Sequence, residues 1–252
     1  MIEASACPKG YRYPKTVISH AIYLYHRLPI SYRDVQELLF KRGIDVSHET
    51  VRAWCVRFGP DLAEALRQRR PRQGRVWHPD EMRIVLGGVT HWLIVAPLGA
   101  GLVTPILWRA INEHGEVLDV LLQRTRCKKA AKRHLRRLLD EQDIPEQVVT
   151  DGLRSYAAAI RETPELSATL HVTVSAAERQ HNLIEQSHRP TRDRERQQRG
   201  FRSLERTQAF LFTHAEVGNL FRHTRARTPA FLRRRNWLRG FSLWDELSLS
   251  IP

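Results

Sequence analysis

Three acidic residues stand where phosphodiester chemistry would need them. Asp80 sits just before a short strand candidate, Arg83 to Leu86. Asp151 ends the strand candidate Gln147 to Thr150, and Glu185 lies in the first turn or so of a helix. Asp80 and Asp151 are 71 residues apart, and Asp151 and Glu185 are 34 apart. Carboxylates that meet at one edge of a sheet are hard oxygen ligands. They suit Mg²⁺, which keeps waters and takes one or two carboxylates plus substrate phosphate. Two such ions about 3.5–4 Å apart can activate an attacking oxygen and stabilise a leaving one. Spacing alone leaves a second reading open for each acid. Asp80 could be a strand-start turn residue, Asp151-Gly152 an ordinary turn, and Glu185 an acid favoured by a helix N-terminus.

The charge of the chain points to the partner. Its 252 residues carry 41 Lys+Arg against 27 Asp+Glu, a net charge of +14. Such an excess implies a polyanion, with nucleic acid first and an anionic membrane surface second. Lys occurs only at Lys9, Lys15, Lys41, Lys128, Lys129 and Lys132, so most of the positive charge is Arg. Arg forms bidentate forks with phosphate and guanine, although GC-rich coding alone also favours it. A hydrophobic fraction of 42% supplies a core and argues against disorder. Cys7, Cys55 and Cys127 are scattered, which argues against a zinc site or a disulfide framework and fits a reducing cytosol. No cationic stretch followed by an apolar one stands near Met1, so no signal peptide is expected. The longest apolar window, Leu93 to Leu107, is broken by Pro97, Gly99, Gly101 and Pro105, so no membrane span is expected. The expected location is cytoplasmic and nucleoid-associated.

These acids and cations need elements to hold them. Residues 1–60 read as helical. Val17 to Tyr25 forms one helix, ended by Pro29. Ser31 caps a second with Asp34 three residues on, Gly43 makes the turn, and Ser47 caps a third that stops at Gly59-Pro60. Helix, glycine turn and helix make a helix-turn-helix pattern, whose second helix would present His48, Arg52 and Arg57 to a major groove. An ordinary helical hairpin fits the same pattern. Residues 61–75 read as a basic linker containing Arg72. Residues 76–215 alternate strands and helices and read as an α/β domain, with a hairpin turn at Asn112-Glu113-His114-Gly115 and an amphipathic helix from Lys128 to Asp140. Residues 216–252 form a basic and aromatic helical tail. Its Phe231 and Trp237 suit either docking in a core or stacking on distorted DNA.

Blocks around the acids carry a resemblance. Trp77-His78-Pro79-Asp80-Glu81 resembles W-x-x-D-E. Trp108-Arg109-Ala110-Ile111-Asn112-Glu113-His114-Gly115 resembles L/W-R-A-V-D-x-x-G, and Lys128-Lys129-Ala130-Ala131-Lys132-Arg133 resembles K-A-A-K-R. Val149-Thr150-Asp151 with Tyr156 resembles T-D-x-x-x-x-Y. The run Asn182 to Arg192 resembles N-x-x-E-N-S-H-x-P-T-R around Glu185. In this order they are similar to the DDE transposases of the IS-six group of bacterial insertion sequences, over nearly the whole chain. The resemblance implies a ribonuclease-H-like core, a mixed sheet flanked by helices, behind an N-terminal all-α helix-turn-helix domain. It implies Asp80, Asp151 and Glu185 as the catalytic, metal-binding triad for two Mg²⁺ ions, with Mn²⁺ able to substitute. It also implies cutting and joining of DNA at element ends without a covalent protein intermediate. The partners implied are double-stranded DNA, as element terminal repeats and target, and a second copy in a homodimer.

Two features depart from that pattern or add to it. About fourteen apolar residues, 94–107, intervene where the family has a short hairpin. An insertion beside the catalytic strand can bulge or slip the register. It makes a catalytically impaired DNA-binding remnant or regulator the alternative. Gly152 stands where the family has Lys. Arg154, and the ladder Arg189, Arg192, Arg194, Arg196 and Arg199, would bring DNA backbone to the acids. A solvated helix face with i,i+4 pairs accounts equally for the ladder.

Overall fold

The computed structural model describes residues 7–71, 74–86, 105–174, 181–222 and 228–251, the side chains of His181, Asn182 and Glu185 excepted. In chain order the elements are α1 (Lys15–Arg27), α2 (Tyr32–Phe40), α3 (His48–Arg69), β1 (Val76–Arg83), β2 (Ile106–Asn112) and β3 (Val117–Gln123). There follow α4 (Lys128–Glu141), β4 (Gln147–Thr150), α5 (Arg154–Arg161), β5 (Leu170–Thr173), α6 (His181–Gln197), α7 (Leu204–Leu220) and α8 (Ala230–Ser248). Two compact units result: Met1–Pro71 with Ala209–Pro252, and Arg72–Gln208. No helix among the described residues is long and apolar enough to cross a membrane.

The first unit is helical. Ser31 and Asp34 form a reciprocal capping box, with Asp34 N–H donating to Ser31 Oγ at 3.2 Å and Ser31 N–H to Asp34 Oδ2 at 2.7 Å. Gly43 turns the chain at φ +77°, where a Cβ would be strained. Ser47 Oγ then caps α3 by accepting from Thr50 N–H at 3.2 Å.

α3 does not stop at Gly59-Pro60, as the sequence suggested, but runs on to Arg69. Gly59 is there for packing: a Cβ would lie 3.3 Å from Thr213 Cγ2 of α7. Pro60 costs the helix a hydrogen bond. Buried Phe58, Leu62, Ala63 and Leu66 on either side of it offset that loss. Residues 61–69 are therefore helix and not linker. The expected 216–252 tail is also no separate piece. Val217, Phe221, Trp244 and Leu247 join Ile18, Ile22, Trp54 and Phe58 in one core. The division at 60, 75 and 215 gives way to one at 71 and 208. The reason is physical: the three N-terminal helices leave an apolar face that the distant C-terminal helices cover. Phe221 and Trp244 dock in the core, whereas Phe231 and Trp237, for which docking was one expectation, remain exposed, as does Leu238.

The second unit is built on a five-stranded sheet in the order β3-β2-β1-β4-β5. β1, β2 and β3 run antiparallel in sequence, and β4 and β5 run parallel to β1. This mixed sheet, with helices on both faces, is the ribonuclease-H-like arrangement. α4 and α5 cover one face through Trp77, Trp108, Ala131, Leu135, Leu138 and Tyr156. Trp108 and Tyr156 meet edge to face at 5.5 Å. α6 covers the other face, where Arg109 Nη1 donates to Thr191 Oγ1 at 2.9 Å. The β2–β3 turn falls where Asn112 predicts it. Its Oδ1 accepts from the N–H groups of His114 and Glu116, and Gly115 takes φ +77°.

β1 differs from its expectation. The strand is Val76–Arg83 and not Arg83 to Leu86, so Asp80 lies inside it and not before it. Pro79 argues against a strand on sequence grounds because it has no N–H to give. Here the parallel ladder to β4 covers only Val76↔Gln147 and Trp77↔Val148. Pro79 stands beyond it, where β4 asks for no donor. Residues 87–104, including most of the apolar insertion, lie outside the described residues. Beside them the β1–β2 register is continuous from Trp77↔Asn112 to Arg83↔Ile106, and Ile84 N–H donates to Pro105 O at 3.0 Å. The ladder that carries Asp80 thus has no slip.

Candidate active site

The site forms where two parallel strands part. β1 and β4 separate beyond Trp77 and Val148, at the point where the chain order across the sheet jumps from β1 to β4. Open α/β sheets hold ligands at such switch points. The gap is a cleft of about 210 Å³ lined by His78, Asp80, Thr150, Asp151, Val174 and Ile184, among others. Asp80 comes from the middle of β1. Asp151 comes from the end of β4, where its Oδ1 accepts from Leu153 N–H at 3.0 Å and starts the turn into α5. Gly152 in that turn has φ +84°, and a Cβ there would lie 3.1 Å from Thr173 Cγ2. This explains why a glycine stands where the resemblance leads one to expect a lysine.

Asp80, Glu81 and Asp151 each offer an oxygen, and these oxygens all lie within 4.8 Å of one another. Carboxylates alone, at a cleft open to substrate, fit a hard divalent cation that keeps part of its water shell. Asp80 is held at both oxygens: Oδ1 accepts from Glu81 N–H at 2.8 Å, and Oδ2 accepts from His188 Nε2 at 3.0 Å. A carboxylate fixed in this way keeps further lone pairs for a metal. Burial raises the Glu81 carboxyl to about 7, helped by the charges of Asp80 and Asp151 and opposed by Arg126. Burial also lowers His78, keeping a neutral imidazole beside the acids.

Glu185 belongs to α6, three residues before His188, and its side chain lies outside the described residues. α6 is anchored along β1. Arg192 Nη1 donates to Arg83 O at 2.8 Å, Val85 N–H donates to Glu195, and Phe201 N–H donates to Val85 O at 2.9 Å. Of the expected triad, the structure brings together the Asp80 and Asp151 side chains. Two neighbours carry no site signal in the sequence, Glu81 and Arg126, whereas His188 flanks Glu185 in the sequence and here bonds Asp80. The histidine's sequence signals are its place in the block around Glu185 and its position one helical turn after that acid. Replacing it with Ala should leave the fold intact and slow strand transfer about 10–100-fold, the usual cost of losing a group that orients a metal ligand. Single-turnover assays at fixed Mg²⁺ would measure this.

The expected DNA-contacting residues divide into groups. His48, Arg52 and Arg57 lie on α3 with solvent-facing side chains. Arg52 is 3.3 Å from Glu49, and Arg57 is 3.0 Å from Asp61. Arg154, at the start of α5, is exposed, as are Arg189, Arg196 and Arg199 of the ladder. Arg192 is partly engaged by Arg83 O and Glu195. Arg194 is a correction. It is 2% exposed and donates to Gln197 at 2.6 Å, so it packs α6 and is closed to a DNA backbone. Its helical position turns it inward, while Arg189 and Arg196 point out. Arg72 lies outside the described residues.

A family model described as a DDE domain matches residues 104–224. The transposase for insertion sequence-like element IS431mec of Staphylococcus aureus (strain Mu50) is 30% identical over 181 residues, covering 71% of this chain and 73% of that protein. The Staphylococcus aureus transposase for insertion sequence element IS257 in transposon Tn4003 is similar to the same extent. Among solved structures, the catalytic core domain of BIV integrase aligns with 67% of this chain and 99% of its own, at 10% identity and a TM-score of 0.39. With the acids at the switch point and relatives of this identity and coverage, the chain belongs to the DDE transposases of the IS-six group of insertion sequences.

Proposed function

We propose that this transposase binds the terminal repeats of its element through α2 and α3 and cuts and joins DNA with Asp80, Asp151 and Glu185 as its cation-binding triad. The observation that carries the reading is the convergence of Asp80 and Asp151 at the gap between β1 and β4, under a helix bonded to Asp80 and containing Glu185 one turn away. Two Mg²⁺ ions fit the donor set, and Mn²⁺ would substitute because it accepts the same oxygen ligands. Bound there, the ions supply an activated attacking oxygen and charge stabilisation on the leaving one. The protein's own residues do the rest. β1 and β4 fix two carboxylates, and His188 and the Glu81 amide hold Asp80 in one orientation. The exposed Arg154, Arg189, Arg196 and Arg199 meet phosphates that would otherwise be repelled by the acids. Two ends must be joined in one reaction, which supports a homodimer.

The reading is tested with two duplexes in Mg²⁺, one ending in the terminal repeat and one unrelated. Nicking confined to the repeat end is expected. Equal cleavage of both would favour a general nuclease. End recognition has its own test at α3. Arg52→Ala should weaken repeat binding by about 1–3 kcal/mol if the side chain reads a base edge, and relax preference at one position. A titration against repeat variants at fixed salt would show it.

A further inference from the structure

We infer that Glu81 supplies a third oxygen to the cation site formed by Asp80 and Asp151, with Arg126 and Tyr156 as its positioning residues. The inference rests on the reading of that site as cation-binding. Neighbouring residues of a strand point to opposite faces. Asp80 meets α6, whereas Glu81 lies opposite Trp108 in the ladder, on the face packed by α4 and α5. That face is otherwise lined by tryptophan, alanine, leucine and tyrosine, and a carboxylate there must be compensated. The Glu81 side chain is 3% exposed. Arg126, from the turn between β3 and α4, holds its Oε1.

A pair built only for stability would leave no buried oxygen over, since an unmet acceptor costs free energy. Among the described residues, Oε2 is buried and makes no hydrogen bond of good geometry. The Tyr156 hydroxyl, fully buried, lies within hydrogen-bonding reach of the same carboxylate. One Glu81 oxygen nevertheless lies within 4.8 Å of an oxygen of each aspartate. Octahedral Mg²⁺, with ligands at about 2.1 Å, spans about 4.2 Å between opposite oxygens, so a small closing motion completes the set. Arg126 neutralises part of the charge of three adjacent carboxylates before a cation arrives. Tyr156 fixes the direction from which Glu81 points.

The test is Mn²⁺ titration of the full chain without DNA, read by electron paramagnetic resonance of free Mn²⁺, with thermal melting in parallel. Glu81→Gln is expected to raise the Mn²⁺ Kd about tenfold or more, and Tyr156→Phe several-fold. If Glu81→Gln melts too low to assay, Glu81→Asp keeps the charge, withdraws the oxygen by one methylene and should still weaken binding. A purely structural pair would shift melting and leave the Kd unchanged. A wild-type Kd in the Glu81 variants, with weakened binding in Asp151→Asn, overturns the Glu81 assignment and leaves the cation site standing. A wild-type Kd in Asp151→Asn as well removes the cation site itself.

Discussion

Asp151→Asn is expected to fold, to bind element ends with unchanged affinity, and to lose strand transfer by about a thousandfold or more, ~4 kcal/mol of transition-state stabilisation. Asparagine keeps the oxygen that accepts from Leu153 N–H, so the turn into α5 survives. What it loses is negative charge at one of the converging oxygens. A neutral amide oxygen is a far weaker partner for a divalent cation than a carboxylate, and the chemistry depends on that cation in both cutting and joining. In the proposed reading, DNA binding is carried by α3 and the exposed arginines and does not involve the acid. Gel-shift and strand-transfer assays on one preparation separate the two effects. A variant that joins DNA at the wild-type rate would remove Asp151 from the site.

The second large effect concerns stability and lies away from the chemistry. Asp119 on β3 is completely buried and receives Arg137 Nε and Nη2 from α4 at 3.0 Å each, with His134 Nδ1 at 3.5 Å. Burial would raise its carboxyl, but hydrogen bonds and charge from His134 and Arg137 outweigh burial and hold it well below the usual range. A folded-state value below the unfolded one stabilises the protein at pH above the unfolded value, about 3.9. That contribution fades as pH falls below it. Asp119→Ala should therefore cost about 2–3 kcal/mol at neutral pH. This is less than the ~3–5 kcal/mol of a wholly buried pair, because Arg137 is 40% exposed and can reach water. Melting should drop by roughly 5–10 °C. Wild type should lose stability on acidification from about pH 5, and the variant should lack that part of the slope. Parallel melts at pH 7 and pH 3.5 would measure both. An equal loss in the two proteins would contradict the assignment.

What the sequence revealed depended on whether the signal was local. The Asn112 turn, the Ser31–Asp34 box, β4 between Pro145 and Asp151, and the amphipathic α4 all carry their determinants within a few residues. Each formed within a residue or two of its expected position. Errors arose where a local breaker had a tertiary excuse. Pro79 is tolerated because β4 has already left β1, and Gly59 makes room for Thr213. The site shows the same division. Asp80 and Asp151 stood out from their motifs. Glu81's link to Arg126, 45 residues away, and His188's link to Asp80, 108 residues away, appear only once the sheet and α6 are assembled. The burial of Arg194 within an otherwise solvent-facing ladder is likewise a matter of helix phase against a surface that the sequence does not display.

The apolar stretch beside the strand that carries Asp80 makes activity of the intact protein the central question, and the unbroken β1–β2 ladder keeps Asp80 in register beside it. The most direct measurement is strand transfer by the purified wild-type chain, with a terminal-repeat duplex exposing a 3′-hydroxyl, a supercoiled target plasmid and Mg²⁺. The account predicts a covalently joined product that depends on Mg²⁺ or Mn²⁺ and disappears with EDTA. Normal binding of the repeat without any joined product in either metal would contradict it.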